Sequence, residues 1–177
     1  MPPLYFHDVA PTVDQPETMD LGDNGLIVAA IGEPITVQPW AQLGYDAAVR
    51  YTVRSVLQAP HTDPEPGEFN TVWLLVDVEA VGVTGRVQAQ PHDFAFVAAD
   101  RSRYWPIGVS GKPQLEMTSL RPGRRVSGRV LFHVPADVPA HGKIVVKTIG
   151  DTDDIPLGYW LMNGSPANYE GPETFPW

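Results

Sequence analysis

With 177 residues, 43% of them apolar and 19% charged, the chain is long enough for one hydrophobic core and too apolar to stay disordered. Its 16 glycines and 19 prolines exclude long helices and favour short strands joined by turns. A net charge of −9, from 21 acids against 12 bases, excludes general binding to a phosphate backbone, and the lack of cysteine excludes disulfides, thiolate metal sites and cysteine nucleophiles.

In chain order, residues 1–24 read as a polar, proline-rich arm that carries Leu4, Tyr5 and Phe6 but no signal-peptide core. Leu26 to Ile31 and Ile35 to Val37 are predicted short edge strands, split by Gly32 and Pro34. Ala47, Val49, Tyr51, Val53 and Leu57 alternate with Ala48, Arg50, Thr52 and Arg54, the pattern of a half-buried antiparallel strand. The loop from Ala59 to Glu68, with three prolines, is an exposed insertion. Val72, Leu74, Val76, Val78 and Ala80 then share one face of a strand whose other face holds Trp73, Leu75, Asp77, Glu79 and Val81. That composition predicts a central strand covered in part on both sides.

Phe94, Phe96 and Ala98 form a third alternating set that turns at Asp100-Arg101-Ser102 and returns through Tyr104 and Trp105. After the Pro122-Gly123 turn, Val126, Gly128, Val130, Phe132 and Val134 oppose Ser127, Arg129, Leu131 and His133 until Pro135. Lys143, Val145 and Lys147 alternate with Ile144, Val146 and Thr148; an acidic loop and a short strand from Leu157 to Leu161 follow. The whole predicts an all-β, immunoglobulin-like antiparallel β-sandwich of seven to nine strands over residues 25–161, with extended arms at 1–24 and 162–177.

Little in this pattern carries chemistry. Gly111-Lys112 lacks the glycine and hydroxyl of a phosphate-binding loop, and Gly108-Val109-Ser110-Gly111 misses the spacing of a nucleophile elbow. His7, His61, His92, His133 and His141 have no metal-binding spacing, although His133 shares a strand face with Arg129. Asp77 and Glu79 lie at i, i+2, but without a cleft they read as an outer-face charge pair. The aspartates at 151, 153 and 154 and those near Gly25 lack the calcium-loop layout and read as turn residues.

Two features point outward. Trp73, Leu75, Leu131 and Val145 fall on faces the alternation assigns to the outside, so something must cover them. Aromatic arms ending in Phe175 and Trp177 are candidates, in this subunit or a neighbour, with flexible tails as the alternative. Residues 101–129 hold seven bases and one acid, whereas 1–46 and 151–177 hold no Lys or Arg. Arg124, Arg125 and Arg129 are therefore candidate partner contacts, unless acidic end segments simply lie across them.

Val76-Asp77-Val78-Glu79-Ala80, Asp93-Phe94-Ala95-Phe96-Val97 and Asp100-Arg101-Ser102-Arg103-Tyr104, with Leu120-Arg121-Pro122-Gly123 and the run from Gly128 to Pro135, resemble the telokin-like, immunoglobulin-like domains of bacterial extracellular proteins such as actinobacterial immunoprotective antigens. The resemblance spans residues 26 to 160 and implies an immunoglobulin-like sandwich outside the membrane, with no cofactor and no catalytic residues. The sequence as given is expected to depart from it in its longer arms and in showing neither a leader nor a lipidation cysteine, the chain being either cytosolic or trimmed of a targeting segment. The expected function is a non-enzymatic extracytoplasmic module for protein–protein interaction, binding a protein partner or a second copy through sheet edges, loops or arms. No cofactor, nucleic acid or direct membrane insertion is expected, and the expected location is extracellular or in the cell envelope. A structural subunit of a larger surface or virion assembly is the alternative, and a metal-carrying or hydrolytic protein the second.

Overall fold

Alternating side chains become strands throughout a computed structural model that describes residues 17–19, 21, 25–60, 71–108, 114–149 and 154–170. The strands are β1 (Glu17–Thr18), β2 (Ile27–Ala30), β3 (Pro34–Val37), β4 (Ala48–Pro60), β5 (Thr71–Thr84), β6 (Val87–Ala89), β7 (Phe94–Val97), β8 (Ser102–Tyr104), β9 (Thr118–Leu120), β10 (Arg125–Pro135), β11 (Lys143–Ile149), β12 (Asp154–Leu161) and β13 (Ala167–Asn168). Eight of the thirteen are four residues or longer, within the expected seven to nine; of the shorter ones, β8 is the return predicted after the Asp100-Arg101-Ser102 turn.

The first sheet has the order β1-β8-β7-β11-β12-β2, and the second β10-β5-β4-β13, with β3 also on β4; β6 and β9 form a small third ladder. Most pairings are antiparallel, but β2 joins β12 and β13 joins β4 in parallel, so the expected antiparallel plan gives way at two edges. The chain crosses between the large sheets at Ile31–Glu33, where the Gly32 amide donates to Val53 at 2.8 Å.

The principal core lies between the large sheets. Val49, Tyr51, Val53, Leu74, Val76, Val78, Val130, Phe132 and Val134 from the second sheet meet Phe94, Phe96, Tyr104, Ile144, Val146 and Trp160 from the first. Tyr51 meets Phe94 edge-on at 4.9 Å between ring centroids, and Phe96 lies 6.2 Å from Phe132. These pairs tie the layers with the geometry that aromatic quadrupoles favour.

A β-bulge between Val53 and Ser55 inserts Arg54 as an extra residue in β4. It reverses the facing of everything after it. Val56 therefore packs into the principal core, while Leu57 and Ala59 face outward, which corrects the assignment of Leu57 to the Val49 face. The same reversal aligns Leu57 with Leu75 and Leu131, and Ala59 with Trp73 and His133, in two rows across the sheet.

Each sheet also has a covered apolar patch on its outer surface. On the second, Ala59, Trp73, Leu75 and Leu131 are buried beneath Ile107 and Tyr169. On the first, Val145, Ala95 and Val97 are buried with Met19 beside Leu21 and Tyr159. Segments from both ends of the chain thus supply part of the cover.

Candidate functional site

Four of the residues singled out for a partner or a covering arm are buried. Trp73, Leu75, Leu131 and Val145 are almost wholly shielded by their own chain and are unavailable to a partner in this conformation. Phe175 and Trp177 lie outside the described residues, as do Leu4, Tyr5 and Phe6, His7, His61, the residues at 109–113 and the acidic loop before Asp154. Arg124 and Arg125 are exposed, and Arg129 is half-buried.

His133 is buried and structural. Its ring stacks on Trp73 at 4.5 Å with 19° between planes, and its Nε2 lies 2.8 Å from Thr71 Oγ1. Among the described residues no group of three His, Asp or Glu side chains is placed to hold a metal ion. The carboxylates of Asp77 and Glu79 are ion-paired: Asp77 with Arg129 at 3.1 Å, and Glu79 with Arg125 at 3.2 Å and with Arg54. Asp77 also accepts from the Ser55 hydroxyl at 3.0 Å.

The basic run at 101–129 does not form one face. Arg103 goes to the first sheet, where its Nη1 lies 3.9 Å from Asp154 and its guanidinium 4.1 Å above the Trp105 ring. Arg121, Arg124, Arg125 and Arg129 go to the second sheet, where Arg50, Arg54 and Arg86 join them from earlier in the chain. Strand register explains this. Outward-facing rows across β4, β5 and β10 read Arg50–Val81–Arg125, Thr52–Glu79–Ser127 and Ser55–Asp77–Arg129 before the two covered apolar rows begin. The outer face therefore has a covered apolar half and an open polar half.

The turn at 121–124 docks beside the same end of the sheet because Gly82 leaves room for it. A Cβ on Gly82 would stand 2.2 Å from the Arg121 carbonyl oxygen, and the Gly82 amide donates to Arg124 at 2.9 Å. Arg86 lies in the neighbouring β5–β6 turn. Seven of the chain's twelve basic residues thus collect on the open half-face and its end, with Asp46, Asp77, Glu79 and Glu116 as the described acids there. Arg50, Arg86, Arg121 and Arg124 are exposed and have no carboxylate partner among the described residues. A hollow of about 510 Å³ opens on this half-face between Arg54, Asp77, Gln114, Ser127 and Arg129.

The loop between β3 and β4 stands at this end too. It is a fixed turn: Thr148 Oγ1 donates to the Pro39 carbonyl at 2.8 Å, and amides of Leu43 and Tyr45 donate to Trp40 at 3.0 and 3.2 Å. Gly44, at φ 80°, closes the single 3-10 turn at Ala41–Leu43, a conformation that favours glycine. Trp40, Leu43 and Tyr45 are left 37%, 67% and 64% exposed. Sequence reasoning passed over them because they follow no period, yet three large apolar side chains between Pro39 and Asp46 are themselves a signal. A second exposed apolar group, Ile27, Val28 and Leu161, lies along the β2 edge.

One buried ionisable pair lies between the sheets. Tyr51 Oη donates to Asp93 Oδ2 at 2.7 Å, and the Gln90 amide donates to the same oxygen at 3.1 Å. Burial raises the Asp93 carboxyl above its ordinary range despite these hydrogen bonds, and burial together with Asp93 holds the Tyr51 hydroxyl well above its own. An acid with a raised folded-state pKa binds more protons folded than unfolded, so its contribution to stability falls as pH rises from about 3.8 through the raised value. Asp93→Asn is expected to remove that decline, so that from about pH 3.8 upward the urea midpoint of the variant rises more, or falls less, than that of wild type. An unchanged slope would count against it.

No protein-family profile matches the chain, and no curated protein matches it in sequence. Among solved structures it is similar to the secreted protein MPT63 of Mycobacterium tuberculosis, with a TM-score of 0.56 and 16% identity over 77% of this chain and 98% of that one. It is also similar to a putative lipoprotein, YcdA, of Bacillus subtilis, with a TM-score of 0.51 and 12% identity over 66% of this chain; the match spans 36% of YcdA. At these identities the likeness is one of fold: a β-sandwich.

Proposed function

We propose that the chain is a non-enzymatic binding module acting outside the cytoplasm, which engages an acidic protein partner through the open half of its second sheet. The observation that carries this reading is the gathering of Arg50, Arg54, Arg86, Arg121, Arg124, Arg125 and Arg129 at one place on a molecule of net charge −9. Such an uneven field steers an oppositely charged partner to one face and orients it on arrival. The extracytoplasmic part draws on the resemblance to telokin-like extracellular domains and on a fold shared with a secreted protein and a putative lipoprotein. No helix among the described residues is long and apolar enough to cross a membrane. Met19, Leu21 and Tyr169 pack on their own sheets, which favours a self-contained module over an assembly joined by exchanged arms.

The test is binding of poly-L-glutamate to the immobilised full chain, with poly-L-lysine as the control. Poly-L-glutamate is expected to bind, to weaken as salt is raised, and to weaken by roughly tenfold or more when Arg50 and Arg124 are both replaced by glutamate, because exposed charges act within about 10 Å at moderate salt. Preference for poly-L-lysine, or binding indifferent to salt and to charge reversal, would overturn the reading.

A further inference from the structure

We infer that the acidic partner is held by an apolar anchor seated against Trp40, Leu43 and Tyr45 beside Arg86, while its carboxylates run along the arginine rows. The inference rests on the proposed function and adds the anchoring site and the partner's second chemical requirement.

Four observations carry it. Trp40, Leu43 and Tyr45 flank a concavity of about 750 Å³ whose other walls include Asp46, Thr84 and Arg86. The loop that presents them is held by its own turn hydrogen bonds and by Thr148, so binding need not order it first. Tryptophan, tyrosine and arginine are the side chains that concentrate interface energy, and here they stand together, exposed among the described residues. The arginines continue from this end along the sheet in register: Arg50 with Arg125, then Arg54 on the bulge, then Arg129.

That geometry selects the occupant. A flat anionic bilayer resting on the end of the sandwich would not fill the concavity and would bring its charge onto Asp46. It also could not follow the arginine rows onto the outer face. An extended acidic polypeptide can turn from the concavity onto that face, with a large apolar side chain at the first position and carboxylates at the following ones. The spacing of the rows suits such a chain, since rows two residues apart along a strand lie about 6.8 Å from each other, the repeat of alternate side chains in an extended chain.

The experiment compares poly-L-glutamate with a random glutamate–tyrosine copolymer of matched length and charge, on the full chain and on a Leu43→Ser/Tyr45→Ser variant whose thermal unfolding is checked first. Both altered side chains are exposed, so the fold is expected to hold. The copolymer is expected to bind roughly tenfold tighter than poly-L-glutamate, and the variant to lose that gain while keeping its affinity for poly-L-glutamate. Arg86→Glu is expected to weaken the copolymer more than poly-L-glutamate. A tyrosine gain that is absent, or that survives in the variant, overturns the anchor and leaves the basic-face reading in place; binding of neither polymer overturns both. Tyr45-dependent binding to phosphatidylglycerol-containing vesicles, with no copolymer preference, overturns the anchor in favour of a lipid surface.

Discussion

Replacing Asp154 with alanine is expected to destabilise the fold by about 3–5 kcal/mol, because it strands a buried cation. Lys147 looks like an outward-facing residue in the alternation of β11, yet its side chain is shielded. Its Nζ lies 3.1 Å from Asp154 Oδ2, donates to the His92 carbonyl at 2.7 Å and sits 4.6 Å from the centre of the Trp105 ring. Arg103 approaches the same carboxylate and the same ring. Without Asp154, the Lys147 ammonium and the Arg103 guanidinium remain against one indole without the carboxylate that both approach. The matched replacement Lys147→Met with Asp154→Leu removes the closest pair of charges together, leaving only Arg103 at its longer 3.9 Å contact, and is expected to be milder, since apolar groups of similar volume often substitute for a buried ion pair without loss. Urea unfolding of the two variants measures the contrast. An Asp154→Ala cost below about 1 kcal/mol, the range of exposed pairs, would mean that water reaches the lysine.

Trp160→Ala is expected to cost about 3–5 kcal/mol, the range for emptying a large aromatic site in a close-packed core. Trp160 is fully buried on β12, a strand flanked by β11 and β2, with its ring 6.4 Å from that of Phe94. Its Nε1 donates to the Glu33 carbonyl at 2.8 Å, which also pins the crossing between the sheets. Trp160→Phe keeps most of the volume and loses the hydrogen bond, so its cost should be nearer 1–2 kcal/mol. For a chain of this size each kcal/mol moves the melting temperature by about 2–4 °C, so the two variants should separate clearly in a thermal scan. Equal losses would place the energy in the hydrogen bond rather than in packing.

The sandwich was legible because alternation survives over long stretches of β5 and β10, whose inward residues were all placed on the correct face. The double-sided character of β5 could also be read, since Trp73 and Leu75 cannot sit in open water beside Asp77 and Glu79. Leu57 was misplaced because a bulge adds one residue without leaving a composition mark of its own. The burial of Lys147 was not legible for a different reason: alternation gives the face of a sheet but not what lies over it, and Trp105 and Asp154 come from other parts of the chain. The candidate binding surface was hardest to find. Arg124, Arg125 and Arg129 could be named from a basic run, but Arg50 and Arg54 join them only through the register between β4, β5 and β10. Trp40, Leu43 and Tyr45 lie in a loop, where no periodicity marks exposure.

The short pairings at the margins of the sheets have a consequence for how this molecule behaves in company. β3 and β13 divide the free side of β4 between them, and amides of Ile107 and Leu115 occupy outward carbonyls of β10 at Leu131 and Arg129. The first sheet is bordered by β1 and β2, of two and four residues. Borders that short give an incoming chain little to zip onto, so on this sheet the pairing of two copies edge to edge is disfavoured.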